Sequence, residues 1–172
     1  MMEFRKTVKA DVPKVMEIIN QAKDYLKGKG IDQWQKGYPN EELINEDIKN
    51  GVGYVMVKDG EVIATTAISF EEESAYNKIQ EGKWITEGEY SSIHRIAVAN
   101  SQKGSGVMGE MVKCIQEMSL ERGMHSIKID THEENLSMQK AMENSGFKYC
   151  GVIYLEGGPE DGDKRVAYEK VF

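Results

Sequence analysis

Residues 101–110, SQKGSGVMGE, place Gly104, Gly106 and Gly109 in the order GxGxxG. Small residues that open a helix leave backbone N–H groups without intrahelical partners and aimed at one spot, an arrangement that receives phosphate. Lys103, Gly104, Ser105, Gly106, Val107 and Met108 are the candidate donors here. Charge-assisted hydrogen bonds contribute about 1.5–3 kcal/mol each, and the helix dipole adds about 0.3–1 kcal/mol, so several together would hold a diphosphate. Asp130, twenty-one residues beyond Gly109 at the end of an apolar run, stands where the ribose-binding acid of a dinucleotide site would belong. The only cysteines, Cys114 and Cys150, form no CxxC or Cys/His cluster and read as reduced core thiols. No metal site is expected.

The elements that must position these groups follow from periodicity. EFRKT reads as a first strand, and Asp11 as the N-cap of a helix with Pro13 in its first turn. Val12, Val15, Met16, Ile19, Ala22 and Leu26 continue it at helical spacing. GKGIDQWQKGYPN is a loop, and EELINEDIKN a short helix ended by Gly51. GYVMVKDGEVIATTAISF predicts a hairpin around Asp59-Gly60. The polar stretch EEESAYNKIQEGKWITEG is ambiguous, and YSSIHRIAV is a strand. Past the glycine loop, Val107, Met108, Met111, Val112, Ile115 and Met118 mark one stripe of a helix. HSIKID is the next strand, NLSMQKAMENSG a helix with Gly146 as C-cap, and FKYCGVIYL and KRVAYEKVF are strands around a turn. A strand, helix, strand unit in the middle implies a parallel pair with a right-handed crossover. Hairpins at both ends imply antiparallel flanks, so the sheet is mixed.

The chain has 172 residues, enough for one domain, 1–172, with a sizeable core. With 40% hydrophobic and 30% charged residues it falls in the soluble, globular class. No apolar run approaches the ~18 residues of a membrane span, and MMEFRKTVKADV carries no apolar signal core, so a cytoplasmic location is expected. A net charge of −7 repels a phosphate backbone, which argues against nucleic acid as a partner and mildly favours a cationic small molecule or basic peptide.

A dinucleotide turn should begin directly off its strand. Here the strand ends at Val98 and five residues, ANSQK, intervene; too little chain follows for the βα units such a fold needs. The phosphate argument survives without that fold, and no GxxxxGK[ST] loop is present.

IHRIAVANSQKGSGVMGEMV followed by IKIDTHEENLSMQKAMENSGF resembles the GNAT superfamily of acetyl-CoA-dependent N-acetyltransferases. Gly104 and Gly106 match the two glycines of the family loop [Q/R]xxGx[G/A]; Ser101 departs from its leading position, where Gln102 and Lys103 are neighbours. Asn135, Gly146 and Phe147 match NxxAxxxYxxxGF, with Met138 at the Ala and Met142 at the Tyr position. The resemblance implies a splayed parallel pair within the mixed α/β sheet, helices on both faces, and direct transfer of acetyl from acetyl-CoA to a primary amine. It also implies that Ile96, Ala97 and Val98 lie along the pantetheine arm, joined by Asn135, Met138 and Met142. The Val98 amide would serve the oxyanion. Methionine cannot act as the acid that tyrosine supplies at this position in many relatives.

His94, two residues before Ile96 and so expected on the same strand face, is the first candidate base, with His132 the second. Trp34, Gln35 and Tyr38, in a loop that often walls the acceptor site of such proteins, and Trp84 are the acceptor-site candidates. Asn135 also reads as an N-cap. Glu133, Glu134 and the run Glu71-Glu72-Glu73 read as solvated faces, one of which could attract a cation. A small-molecule or peptide amine is the expected partner, and homodimers are frequent in this family. A non-catalytic acyl-CoA-binding module, and less so a dinucleotide-dependent enzyme, are the alternatives.

Overall fold

The computed structural model describes residues 1–172. Its seven strands form one sheet in the order β1-β2-β3-β4-β5-β7-β6. They are β1 (Met2–Lys6), β2 (Gly53–Lys58), β3 (Glu61–Ser69), β4 (Ser91–Val98), β5 (Ser126–Thr131), β6 (Lys148–Tyr154) and β7 (Lys164–Val171). Only β4 and β5 are parallel; every other neighbouring pair is antiparallel. The helices are α1 (Val12–Gly28), α2 (Glu41–Lys49), α3 (Val107–Glu121) and α4 (Leu136–Asn144).

The periodicities become two cores on opposite faces of the sheet. The helical stripe of α3 (Val107, Met111, Val112, Ile115) packs with Met142 of α4 on Ile93, Ile127 and Ile129. On the other face Val15, Ile18 and Ile19 of α1 and Ile44 of α2 pack on Val55, Val57 and Ala97. The hairpin turn has Asp59 and Gly60 both at positive φ, 50° and 82°, the two-residue turn whose twist matches its strands. Helix α4 ends in the double bond of a Schellman motif, with Phe147 N–H donating to Met142 O and Gly146 N–H to Glu143 O, both at 3.0 Å.

Two local expectations require correction. Asp11 occupies the N-cap position of α1, but its side chain does not cap the helix. Its carboxylate turns back to accept from Val8 N–H (2.8 Å) and from both terminal nitrogens of Arg5 (2.8 and 3.1 Å), tying β1 to the helix entry. A guanidinium fork in reach is a stronger partner than one more amide. On β4 the alternation expected from His94 to Ile96 is broken. Between the pairs Ala67↔His94 and Thr65↔Ala97, β4 advances three residues while β3 advances two. The extra residue is a bulge, Arg95 has φ 51°, and Ile93 and Ile96 consequently share the α3-side core.

The ambiguous stretch 71–88 is a short 3-10 turn (Ser74–Lys78) and an extended loop that covers β5, β7 and β6 on the α1 side. Gln80 exchanges two backbone hydrogen bonds with Val152 at 2.8 Å. A Cβ on Gly82 would stand 1.9 Å from the carbonyl oxygen of Cys150. Gly82→Ala is therefore expected to lower stability by at least about 1–3 kcal/mol, read as a reduced urea midpoint.

Candidate active site

The parallel pair β4/β5 is registered only at Ser91↔Ile127 and Ser92↔Lys128. Beyond these two pairs the strands part, and a cleft of about 1150 Å³ runs through the opening. Ala99 N–H donates to Ile63 O at 2.8 Å, towards β3. By strand alternation the Val98 amide faces the other way, into the gap.

One end of the cleft is the start of α3. Gly104 and Gly106 have φ of 78° and 82°, the left-handed conformation that tightens the loop. The N–H groups of Lys103 and Ser105 are turned back onto Asn100 O and Gln102 O at 3.4 and 3.3 Å. Ser105 also donates its hydroxyl to Gln102 O, and it does not line the cleft. The amides of Gly104, Gly106, Val107 and Met108 have no protein acceptor, nor does that of Gly109, which sequence reasoning did not count as a donor. A Cβ on Gly109 would meet open space, so its lack of a side chain leaves room above the first helical turn.

Ile96, Val98, Asn135 and Met138 line the middle of the cleft. Asn135 does cap α4, its oxygen accepting from Met138 N–H at 3.3 Å. Its amide nitrogen donates to Gln33 at 3.2 Å and to Thr131 at 3.4 Å. Two other expected members lie elsewhere. Ala97 packs beneath α1, and Met142, fully buried, is part of the α3–α4 core. The bulge redirects the first, and the inward stripe of α4 takes the second.

The other end is lined by charged side chains. His94 Nε2 lies 2.9 Å from Glu73 Oε1 and 2.9 Å from Ser92 Oγ. The bond to His94 holds the Glu73 carboxyl below the ordinary range, against the opposing effect of burial. The Tyr76 hydroxyl donates to Asp130 Oδ2 at 2.7 Å. Burial pushes the Asp130 carboxyl up, more than that hydrogen bond and the charges of His94 and Arg165 lower it. Burial also raises the Tyr76 phenol well above its usual value. Trp34 and Tyr38 form a wall, and Trp34 N–H donates to Glu160 Oε2 at 2.7 Å. Arg95 Nη2 donates to both oxygens of Asp47, at 2.7 and 2.9 Å, anchoring the bulge to α2.

Three further candidates lie away from the cleft. His132 Nδ1 accepts Glu134 N–H at 3.0 Å in the β5–α4 turn. Gln35 spends its amide on Lys23 O and Gln33 O, while Gln33 lines the cleft instead. Trp84, within the 71–88 loop, donates to Tyr76 O and has Lys128 Nζ 4.2 Å from its ring centroid. Both cysteine thiols are raised by burial and neither lines the cleft. Tyr76, Glu160 and Arg165 were not singled out in the sequence; Glu73 was read only within a run of solvated carboxylates, Gly109 only as a loop glycine, and Asp130 only as a ribose ligand.

The open strand pair and the glycine-opened start of α3 thus border one continuous cleft. The family model described as Acetyltransferase (GNAT) family matches residues 15–147. The chain belongs to the GNAT acetyltransferase family, whose members use acetyl-CoA. This displaces the dinucleotide alternative. A GNAT-family acetyltransferase from Streptococcus agalactiae 2603 is 33% identical, covering 99% of this chain and 95% of that one, with a TM-score of 0.87. A GNAT-family acetyltransferase from Listeria monocytogenes 4b F2365 is 18% identical over 99% and 95% of the two chains, with a TM-score of 0.70. The ribosomal-protein-alanine N-acetyltransferase of Brucella melitensis is 17% identical over 99% of each, at 0.66. These last two share the fold. No curated protein matches the chain. No helix is long and apolar enough to cross a membrane.

Because burial raises the Asp130 pKa, its charge opposes folding, and this cost grows as pH rises above the ordinary aspartate value of about 4. Asp130→Asn is expected to melt higher than the parent at pH 7. The two should converge as pH falls to and below that value, measured by thermal denaturation across pH.

Proposed function

We propose that this protein is a cytoplasmic N-acetyltransferase that moves acetyl from acetyl-CoA to a primary amine of a small molecule or peptide by direct attack, within a single domain. The carrying observation is that one cleft joins a row of unpartnered amides at α3 to the Glu73–His94 pair, with the Val98 amide facing the gap between them. The residues at the α3 end fit the group: Gly104, Gly106, Val107, Met108 and Gly109 offer donors to a diphosphate, and Lys103 lies beside them. Ile96, Val98, Asn135 and Met138 would follow the arm. When bound, acetyl-CoA supplies the activated acetyl thioester.

The remaining chemistry belongs to the chain. An alkyl amine with a pKa near 10.4 costs about 4–5 kcal/mol to deprotonate at pH 7, whereas a thiol near 8.5 leaves as thiolate at a cost of roughly 2. A base therefore matters more than an acid, which suits a site with the buried Met142 at the family's tyrosine position. Glu73 accepts Nε2–H of His94, leaving Nδ1 of the ring, which has no protein partner, to take the amine proton. The Val98 amide stabilises negative charge on the acetyl oxygen. Neither thiol serves as a nucleophile.

His94→Gln is expected to lower kcat for thiol release by about a hundredfold or more, with acetyl-CoA binding retained. Acetyl-CoA binding without thiol release for any amine would favour the acyl-CoA-binding module instead. Gly109→Ala fills the space over the helix start. It is expected to raise stability by about 0.5–1 kcal/mol through helix propensity and to raise the KM for acetyl-CoA by about tenfold, the equivalent of one lost charge-assisted bond.

A further inference from the structure

Only two buried side-chain polar atoms in the chain lack a hydrogen-bond partner, Arg95 Nε and Arg165 Nη2, and both arginines line the cleft. Arg165 is the more demanding case, because its side chain is 2% exposed. Leaving a buried donor unmade is costly, more so when it is charged.

The charge of Arg165 is balanced, but its donors are not used up. Glu160 Oε1 is 3.2 Å from Nη2 but off its N–H directions, and Asp163 Oδ2, at 4.0 Å, is beyond hydrogen-bond reach. Glu160 is committed elsewhere through its second oxygen, which accepts Trp34 N–H. Nη1 is satisfied by Lys164 O at 2.9 Å. The acidic frame thus holds the guanidinium in place and leaves Nη2 to a further acceptor. The register sets Ala167 beside Asp130 and Val166 beside Thr131, so Arg165 stands one residue past the end of β5, on the face of Ala167 and Asp130. His94, Asp130 and Arg165 all line the same cleft, so the base and the guanidinium border one space.

A planar guanidinium edge is matched by a carboxylate. A dianionic group would meet Glu73, Asp130 and Glu160 in the same cleft, whereas a single negative charge is tolerated there. We propose that the acetyl acceptor is an amino acid: its ammonium group is drawn to Glu73 and Asp130 and deprotonated by His94, and its carboxylate is received by Arg165 Nη2. This rests on the acetyl-transfer reading above and names its substrate class. Trp34 and Tyr38 supply a wall for an apolar side chain.

The test is thiol release from acetyl-CoA over the common amino acids, each paired with its carboxamide and its decarboxylated amine. At least one amino acid is expected to exceed both counterparts in kcat/KM by about tenfold to a hundredfold, mostly in KM, as a lost charge-assisted bond implies. In Arg165→Met/Glu160→Gln, which removes both buried charges together, that ratio is expected to fall to about one, with folding checked by circular dichroism. Equal or better turnover of the carboxamides, or an unchanged ratio in the double variant, overturns the proposal. If no amine releases thiol, the transfer reading fails and the Arg165 proposal is judged by calorimetric binding. Amino acids that bind no more tightly than their carboxamides would then overturn it.

Discussion

The site depends on the point where β4 and β5 stop pairing. Two parallel strands joined along their length would consume each other's amides and close the sheet. Here the ladder ends at Ser92↔Lys128, and the bulge at Arg95 turns the rest of β4 away. A non-glycine residue at positive φ is uncommon and costs about 1 kcal/mol or more. The bidentate contact from Arg95 to Asp47 opposes that cost and links the bulge to α2. The bulge separates His94 from the Ile96 face, and the parting of the strands turns the Val98 amide into the gap.

The cleft uses different physics at its two ends. At α3 the donors are main-chain amides with a helix dipole behind them, held by two glycines at positive φ and needing no side-chain charge. At the far end the sheet presents side chains: His94, Asp130 and Arg165 from β4, β5 and β7, answered by Glu73 and Glu160 from loops. These charges are buried enough that each either finds a partner or has its pKa displaced. Glu73 is lowered by its histidine, and Asp130 is raised because one phenol hydroxyl does not offset its desolvation.

The 71–88 loop makes that far end possible. Without it the α1-side face of β5, β7 and β6 would be open, and Lys128, Asp130 and Glu169 would lose the loop groups that cover them. The loop seats Tyr76 against Asp130, and Glu169 accepts Ile85 N–H at 2.7 Å. Gly82 lets the loop approach β6 to a distance no side chain allows.

Hydrophobic periodicity and local stop signals were enough to place every helix, every strand and the glycine loop. They act within a few residues, as the Asp59-Gly60 turn and the Gly146 C-cap show. The mixed sheet with its parallel pair followed from element order. What only the tertiary structure decided was which polar residues lie inside. Arg165 and Glu169 alternate with Val166 and Tyr168, a pattern that reads as one apolar and one wet face. At Glu169 it is the 71–88 loop, 84 positions away at Ile85, that dries the second face, and at Arg165 it is Glu160 of the β6–β7 loop that meets the guanidinium. Glu73 looks like its solvated neighbours until Ser92 and His94 arrive beside it. Ala97 left the cleft for the opposite core because one extra residue on β4 shifted the alternation, and a bulge of that kind depends on the register of the neighbouring strand rather than on any residue of its own.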